Sequence, residues 1–148
     1  MDRIDREILG ILQANARASL KTIAEKTFLS SPAVSSRIEK LEREGIITSY
    51  AAQLSPLQLG YHIMAYVSLD VKPEDKPKFY EYVQAIPNVL ECDCVTGEYS
   101  MILKVAFKST MDLDTFVGQL QRFGTTSTQI VFSTHVGPRG VSVEPEGA

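Results

Sequence analysis

Residues 19–45 read SLKTIAEKTFLSSPAVSSRIEKLEREG, and this stretch decides the fold of the first third of the chain. Its apolar residues recur in two runs at the spacing of two amphipathic helices. Ser19 and Ser30 stand just before the two runs, where a hydroxyl can accept a hydrogen bond from a free backbone N–H. Gly45 follows the second run and suits the left-handed residue that ends many helices. The stretch predicts two helices joined by a short turn, the helix-turn-helix arrangement.

A further helix is predicted before this stretch. Ile4, Ile8 and Leu12 recur at helical spacing. Asp2 and Asp5 stand at its start, where the helix dipole favours negative charge.

The second helix of the pair, from Ser31 to about Glu44, presents two different faces. Val34, Ile38 and Leu41 form its apolar stripe. The other faces carry hydroxyl and cationic groups, which can hydrogen-bond to base edges or phosphates. A solvated surface helix has the same composition, so the pattern alone leaves both interpretations open. The candidate DNA-contacting residues are Ser31, Pro32, Ser35, Ser36, Arg37, Lys40 and Arg43.

The rest of the chain changes pattern after a short strand predicted over residues 46–50. Ser-Pro and Gly in residues 51–60 indicate a linker, so residues 1–50 form a domain of their own. Residues 61–136 alternate strands and helices in the order β-α-β-β-α-β, the ferredoxin-like pattern, and residues 137–148 read as a weakly ordered tail. The fold class is therefore α+β. The predicted strands are 61–71, 89–96, 99–107 and 126–136, and the predicted helices are 73–86 and 110–124.

Composition and charge narrow the class of protein. The chain has 148 residues, of which 44% are hydrophobic and 22% charged, as in soluble globular proteins. No apolar run approaches the ~18 residues that a membrane span needs, and the start MDRIDREILG is not a signal peptide. We therefore expect a cytoplasmic protein with no membrane association. The net charge of −3 divides into +1 for residues 1–50 and −4 for the remainder, a weak indication of two parts with different partners.

The cysteines Cys92 and Cys94 lie two apart on a predicted strand and so share a face. A metal site usually needs four ligands, and His62 and His135 lie far away in sequence. We predict two reduced core thiols and no metal.

The two predicted helices cover only one face of a four-stranded sheet. The other face is too apolar to be left in water, and packing against a second copy would cover it. Two helix-turn-helix units related by a two-fold axis can read two half-sites of double-stranded DNA. The residues expected on this face are His62, Met64, Tyr66, Ile102, Ala106, Val131 and His135.

Several of these stretches resemble one family. Ile4–Leu9, Asn15–Arg17 and Leu29–Ser30, followed by Glu44-Gly45, resemble the N-terminal domain of the Lrp/AsnC (feast/famine) transcriptional regulators. Val95-Thr96-Gly97-Glu98-Tyr99 and the stretch 126–131, TSTQIV, resemble their second domain. The resemblance spans residues 2–136. It implies a DNA-binding regulator with a winged-helix-like first domain, whose dimers assemble into octamers or related rings.

The resemblance also implies an amino acid or similar small metabolite bound between dimers, with no other cofactor. Backbone N–H groups at a glycine turn can hold a carboxylate, and hydroxyls can complete the site. An ordinary hairpin turn would have the same sequence. By position, the implied effector-binding residues are Thr96, Gly97, Glu98, Tyr99 and Ser100 on one side, and Thr126, Thr128 and Gln129 on the other.

The chain departs from the family pattern at two positions. Ser100 stands where many members have Asp, so the usual acceptor for an α-ammonium group is missing. Glu98 or backbone carbonyls could replace it, or the effector could be a different molecule. Phe28 stands where many members have Gly, and we expect it to bury against the core with little effect on function. Arg37 is expected either to contact a phosphate or to pack against the preceding helix.

Two alternative functions are compatible with this fold. Sirohaem decarboxylases resemble the same two-domain plan, but the second domain offers only Arg122 and Arg139 for a polyanionic substrate, and no catalytic motif occurs. We therefore expect no enzyme and no catalytic residue. An architectural protein that bends DNA without an amino-acid effector is the closer alternative.

Overall fold

The computed structural model describes residues 1–143. Residues 1–53 and the segment from Gly137 form one compact unit, and residues 54–136 form the other. Within the described residues, the first unit contains three α-helices, and the second contains four strands, two α-helices and two short 3₁₀ helices. The elements are α1 (Arg3–Ala14), α2 (Leu20–Thr27), α3 (Ser31–Arg43), β1 (Ile63–Leu69), α4 (Lys76–Gln84), β2 (Val89–Cys94), β3 (Met101–Phe107), α5 (Thr110–Leu120) and β4 (Thr126–Ile130).

The first unit is built by the caps and the apolar stripe that the sequence predicts. The Ser19 and Ser30 hydroxyls accept hydrogen bonds from the N–H groups of Thr22 and Ala33, which begins α2 and α3. Gly45 ends α3 with φ of 70°, a conformation that favours glycine. One side chain from each helix packs into a shared buried cluster that holds the unit together: Ile8, Ile23 and Val34.

Phe28 contradicts the prediction that it buries against the core. Its side chain is 95% exposed, and its backbone is left-handed with φ of 55°. Its N–H donates to the carbonyl of Ala24 to end α2, and this turn directs the side chain into solvent. The short strand predicted over residues 46–50 is also absent, since the backbone there makes no strand pairing.

The predicted tail begins with a segment that contacts α1. Within the first unit, the Gln13 side chain donates to the Val141 carbonyl at 3.0 Å, and Arg6 donates to the Val143 carbonyl at 3.3 Å. Residues 137–143 form no helix or strand, and two of their carbonyls accept hydrogen bonds from side chains of α1. Residues 144–148 lie outside the described residues.

The second unit is an antiparallel sheet in the order β2-β3-β1-β4, as the β-α-β-β-α-β order predicts. Ala65, Val67 and Leu69 of β1 point to the face that α4 and α5 cover, where Phe79 and Phe116 also pack. The observed strands are shorter than predicted. Residues 95–100 form one hairpin loop, closed by the Val95 N–H donating to the Ser100 carbonyl at 2.9 Å.

The opposite sheet face, which we call the open face, carries Met64, Tyr66, Ile102 and Ala106 as predicted. His135 is not on it because β4 ends at Ile130, and the prediction of a strand to residue 136 is wrong. His62 likewise precedes β1. The face is also less apolar than predicted, because Lys104 lies opposite Tyr66 with its Nζ 3.6 Å from Glu91. Val131 continues the pairing through its N–H to the Met64 carbonyl.

The cysteines are not both core thiols. Cys92 is half-buried against the core, and burial raises the pKa of its thiol. Cys94 is exposed at the end of β2, which is an edge strand of the sheet. Among residues 1–143, no three His, Cys, Asp or Glu side chains are grouped so that they could hold a metal ion. None of the helices in this range is long and apolar enough to cross a membrane.

Candidate functional site

The predicted DNA-contacting residues divide by exposure along α3. Four of them are exposed, namely Pro32, Ser36, Lys40 and Arg43, whereas Ser31, Ser35 and Arg37 are half-buried. The Lys40 Nζ lies 3.8 Å from a Glu44 carboxylate, and both side chains are about half exposed. Such a pair contributes little and exchanges easily with another anion. Within residues 1–143, the Arg43 guanidinium has no ion-pair partner, so it is available to an external anion.

Two of the predicted residues are engaged inside the domain. The Ser35 hydroxyl donates to the Glu39 carboxylate at 3.0 Å. The Arg37 guanidinium donates through one nitrogen to the carboxylates of Asp2 and Asp5, at 2.7 Å each. Those two carboxylates also form the capping box of α1, so Arg37 ties α3 to the start of α1. The sequence leaves open a phosphate contact or packing against the preceding helix, whereas the structure pairs Arg37 with α1 and not with α2, the helix that precedes α3.

The electrostatics of this cluster fit a permanent ion pair. The backbone N–H of Asp5 and then Arg37 hold the pKa of Asp2 below its ordinary value. Burial acts in the opposite direction at Asp5, but the Asp2 N–H and Arg37 still lower its pKa. The two carboxylates raise the pKa of Arg37 in return.

The implied effector-binding residues meet at one edge of the sheet. Leu69 at the end of β1 pairs with Met101 at the start of β3 and with Thr126 at the start of β4. The hairpin loop 95–100 therefore lies two strand spacings from Thr126, or roughly 10 Å. We call this region the loop edge, comprising the hairpin loop 95–100, residues Asp70 and Val71, and residues 124–128.

Side-chain direction separates some of these residues. Thr126 and Thr128 lie opposite Leu69 and Val67, on the face of the helices. Gln129 lies opposite Tyr66, on the open face. Gln129 is therefore not brought together with the two threonines.

The hairpin loop itself is mostly available to solvent. Thr96, Gly97 and Glu98 are exposed, and Tyr99 is half-buried. Gly97 has φ of 116°, which a residue with a side chain rarely adopts. The sequence thus places a glycine turn with exposed polar groups at the loop edge.

Ser100 has a structural partner in place of a ligand. Its hydroxyl accepts a hydrogen bond from the Val71 N–H at 2.8 Å and lies 3.4 Å from the carbonyls of Leu69 and Val71. The side chain therefore closes the end of β1 and supplies no negative charge.

Sequence reasoning missed two residues of the loop edge. Asp70 is an exposed carboxylate directly after β1, and its N–H donates to the Thr125 carbonyl at 3.1 Å. Gly124 packs against it so closely that an added Cβ would overlap the Asp70 carbonyl oxygen. A glycine two residues before the last strand was the available signal, but its partner is 54 residues away and only the register reveals it.

Comparison with known proteins identifies the two domains. Residues 1–48 match the winged helix-turn-helix DNA-binding family, and residues 64–141 match the Lrp/AsnC ligand binding domain. The HTH-type transcriptional regulator FL11 of Pyrococcus horikoshii is 31% identical over 138 residues, which are 91% of each chain. The chain therefore belongs to the Lrp/AsnC family, and the resemblance seen in the sequence is confirmed.

Solved structures agree with this assignment. The structure of Bacillus subtilis LrpC matches with a TM-score of 0.88 and 29% identity, over 93% of this chain and 99% of that one. The Neisseria meningitidis regulator NMB0573, solved as a complex with L-Met, matches with a TM-score of 0.88 and 26% identity, over 99% and 97%. The α+β prediction is confirmed, and the protein is a transcriptional regulator with a DNA-binding domain and a ligand-binding domain.

Proposed function

We propose that this regulator binds double-stranded DNA through α3 as a homodimer and responds to an amino acid or related metabolite at the loop edge. The exposed row of Ser36, Lys40 and Arg43 carries the first half of the proposal, because it places hydroxyl and cationic groups on the free face of a helix-turn-helix. The L-Met complex of the Neisseria relative supports the class of effector. A regulator of transcription must reach DNA, so we place it in the cytoplasm.

The contacts on DNA follow from exposure. Lys40 and Arg43 are assigned to phosphates, which supply affinity without sequence information. Pro32 and Ser36, with the half-buried Ser31, are assigned to the major groove. They offer few bidentate donors, so we expect modest sequence specificity. Ser35 and Arg37 are assigned to positioning roles through Glu39 and the α1 carboxylates.

Replacing Lys40 or Arg43 with methionine should weaken binding to all duplexes alike. Because both subunits of the proposed dimer carry the replacement, two phosphate contacts are lost, and the magnitude of the slope of log K against log salt should fall by about 1.8, at ~0.9 per contact. Fluorescence anisotropy of a duplex selected by the wild-type protein, measured between 50 and 300 mM salt, gives that slope. Lys78→Met, at an exposed position of α4, is the matched control and should leave the slope unchanged. A variant with the wild-type slope removes that residue from the contacts.

A bound amino acid carries a carboxylate and an ammonium group, and each charge needs a partner on the protein. The N–H groups of the Gly97 turn can hold the carboxylate. Because Ser100 is neutral and bonded to β1, we assign the α-ammonium to Asp70, an exposed carboxylate at the same loop edge. Glu98 is the competing candidate.

The open face and its surroundings support self-association. Tyr66 is 37% exposed at the centre of this face, and Phe132, just after β4, is 99% exposed. A second copy of the sheet would cover Tyr66. The resulting dimers could assemble further into octamers or related rings. Lys104 would then be buried together with Glu91, which keeps its charge paired.

A thermal-shift screen against the twenty amino acids, combined with light-scattering mass, tests the effector and the assembly together. A ligand at one hundred times its Kd stabilises the folded state by about 2.7 kcal/mol and should raise Tm by roughly 5–10 °C. Asp70→Asn should abolish that shift, whereas Glu98→Gln and the α4 control Glu81→Gln should retain it. If only Glu98→Gln lost the shift, Glu98 and not Asp70 would be the partner of the ammonium group.

Absence of any shift would contradict an amino-acid effector. On a well-formed dimer or octamer, that result would favour the architectural alternative, which the neutral, internally bonded Ser100 also favours. A monomeric mass at micromolar concentration would contradict the proposed assembly.

A further inference from the structure

Phe28 combines an unfavourable backbone with an unused side chain. It is the non-glycine residue of positive φ in the described chain, at φ 55° and ψ 36°. In this left-handed region the Cβ of an L-residue crowds the following carbonyl oxygen. Its ring is 95% exposed and forms no ring contact with residues 1–143.

The fold needs the turn but not the ring. The N–H groups of Phe28 and Leu29 both donate to the Ala24 carbonyl, which ends α2 and starts the turn toward α3. Glycine adopts this conformation without the steric penalty. Nothing inside the domain therefore explains a large apolar side chain here, and its partner must be sought outside.

The position of Phe28 identifies that partner. It lies two residues before Ser30, the N-cap of α3, and thus beside the end of the recognition helix that faces base edges in a helix-turn-helix. The exposed Pro32 lies in the first turn of α3, at the same end of the helix. An aromatic ring at this end of α3 can pack on a thymine methyl group or a deoxyribose, contacts that polar neighbours cannot provide.

We propose that Phe28 is a DNA-contacting residue, packing its ring against the apolar surface of the duplex beside the half-site that α3 reads. The inference rests on the proposed DNA binding. The ring bears no charge, so this contact releases no counterions and differs in kind from those of Lys40 and Arg43.

The test compares Phe28→Gly with wild type on a duplex selected by the wild-type protein from a random library. Burial of a phenylalanine ring corresponds to a loss of about tenfold or more in Kd when the ring is removed. The salt slope should stay at the wild-type value, whereas Lys40→Met lowers it. Phe28→Gly should also melt at a higher temperature than wild type, which excludes unfolding as the cause of weaker binding. Phe28→Leu should recover part of the affinity.

Three results would overturn the proposal. Wild-type affinity in Phe28→Gly would show that the ring does not touch DNA. A change in light-scattering mass that accounts for the weaker binding would place the ring at a contact between subunits. A wild-type protein that selects and binds no duplex would overturn the proposed DNA binding, and this inference with it.

Discussion

Gly124→Ala should lower Tm by roughly 10 °C, which corresponds to about 3 kcal/mol of stability. An added Cβ would overlap the Asp70 carbonyl oxygen and lie 3.7 Å from a Leu69 methyl group. The obstructing atom is backbone, and the Asp70 N–H is bonded to the Thr125 carbonyl. Relief of the overlap therefore requires the ends of β1 and β4 to separate. Thermal unfolding followed by circular dichroism measures the loss.

Gly118→Ala is the matched control for this prediction. Gly118 lies inside α5, is exposed, and has no atom within 4 Å of an added Cβ. Alanine inside a helix is more favourable than glycine by about 0.5–1 kcal/mol, so this variant should be more stable than wild type. Two small effects of the same sign would contradict the close approach at Gly124.

Local interactions explain which elements the sequence predicts well. The Ser19 and Ser30 caps bond to N–H groups three residues away, so the starts of α2 and α3 depend only on adjacent residues. The alternation of Met101, Leu103 and Val105 similarly fixes which side of β3 is buried. Apolar residues that recur every two residues in strands, or every three to four in helices, can be recognised without knowledge of the rest of the fold.

Two predictions are wrong because hydrophobicity alone does not show where a turn directs a side chain or where a strand ends. Hydrophobicity favours burial of Phe28, but the left-handed turn that ends α2 leaves its ring in solvent. The apolar pattern continues past Ile130 and predicts His135 on the sheet, yet β4 pairs with β1 only to Ile130, with one more bond at Val131.

The register of strand pairing, which the sequence does not reveal, decides which residues of the candidate effector site lie on the same face. Its residues come from stretches that the resemblance points to, but their faces follow from strand pairing. Gln129 pairs with Tyr66 and Thr128 with Val67, so the two side chains lie on opposite faces. Asp70 carries no motif, and its place between β3 and β4 follows only from the strand order.

Arg37 is also defined by a distant contact. Its partners Asp2 and Asp5 are more than thirty residues away in sequence. Asp5 is the critical one, since its side chain is only 6% exposed. Removing the guanidinium leaves that carboxylate buried without its cation, although the Asp2 N–H still bonds to it.

Arg37→Met should therefore destabilise the first domain by about 2 kcal/mol at pH 7. The paired carboxylates have lowered pKa values in the folded protein. Their stabilisation is complete above the ordinary carboxyl pKa near 3.8 and is lost as the pH falls through the lowered values. The deficit of Arg37→Met relative to wild type should thus be constant from pH 7 to 5 and shrink below pH 4.

Urea unfolding at a series of pH values measures that deficit, and Arg3→Met is its control. The Arg3 side chain is 86% exposed in a helical pair with Glu7, so its loss should change stability by less than about 0.5 kcal/mol at any pH. A deficit of Arg37→Met that stays constant down to pH 3 would mean that packing of the arginine stem, and not its charge, joins α3 to α1. A deficit that shrinks in acid would establish the ion pair as the link that orients the recognition helix.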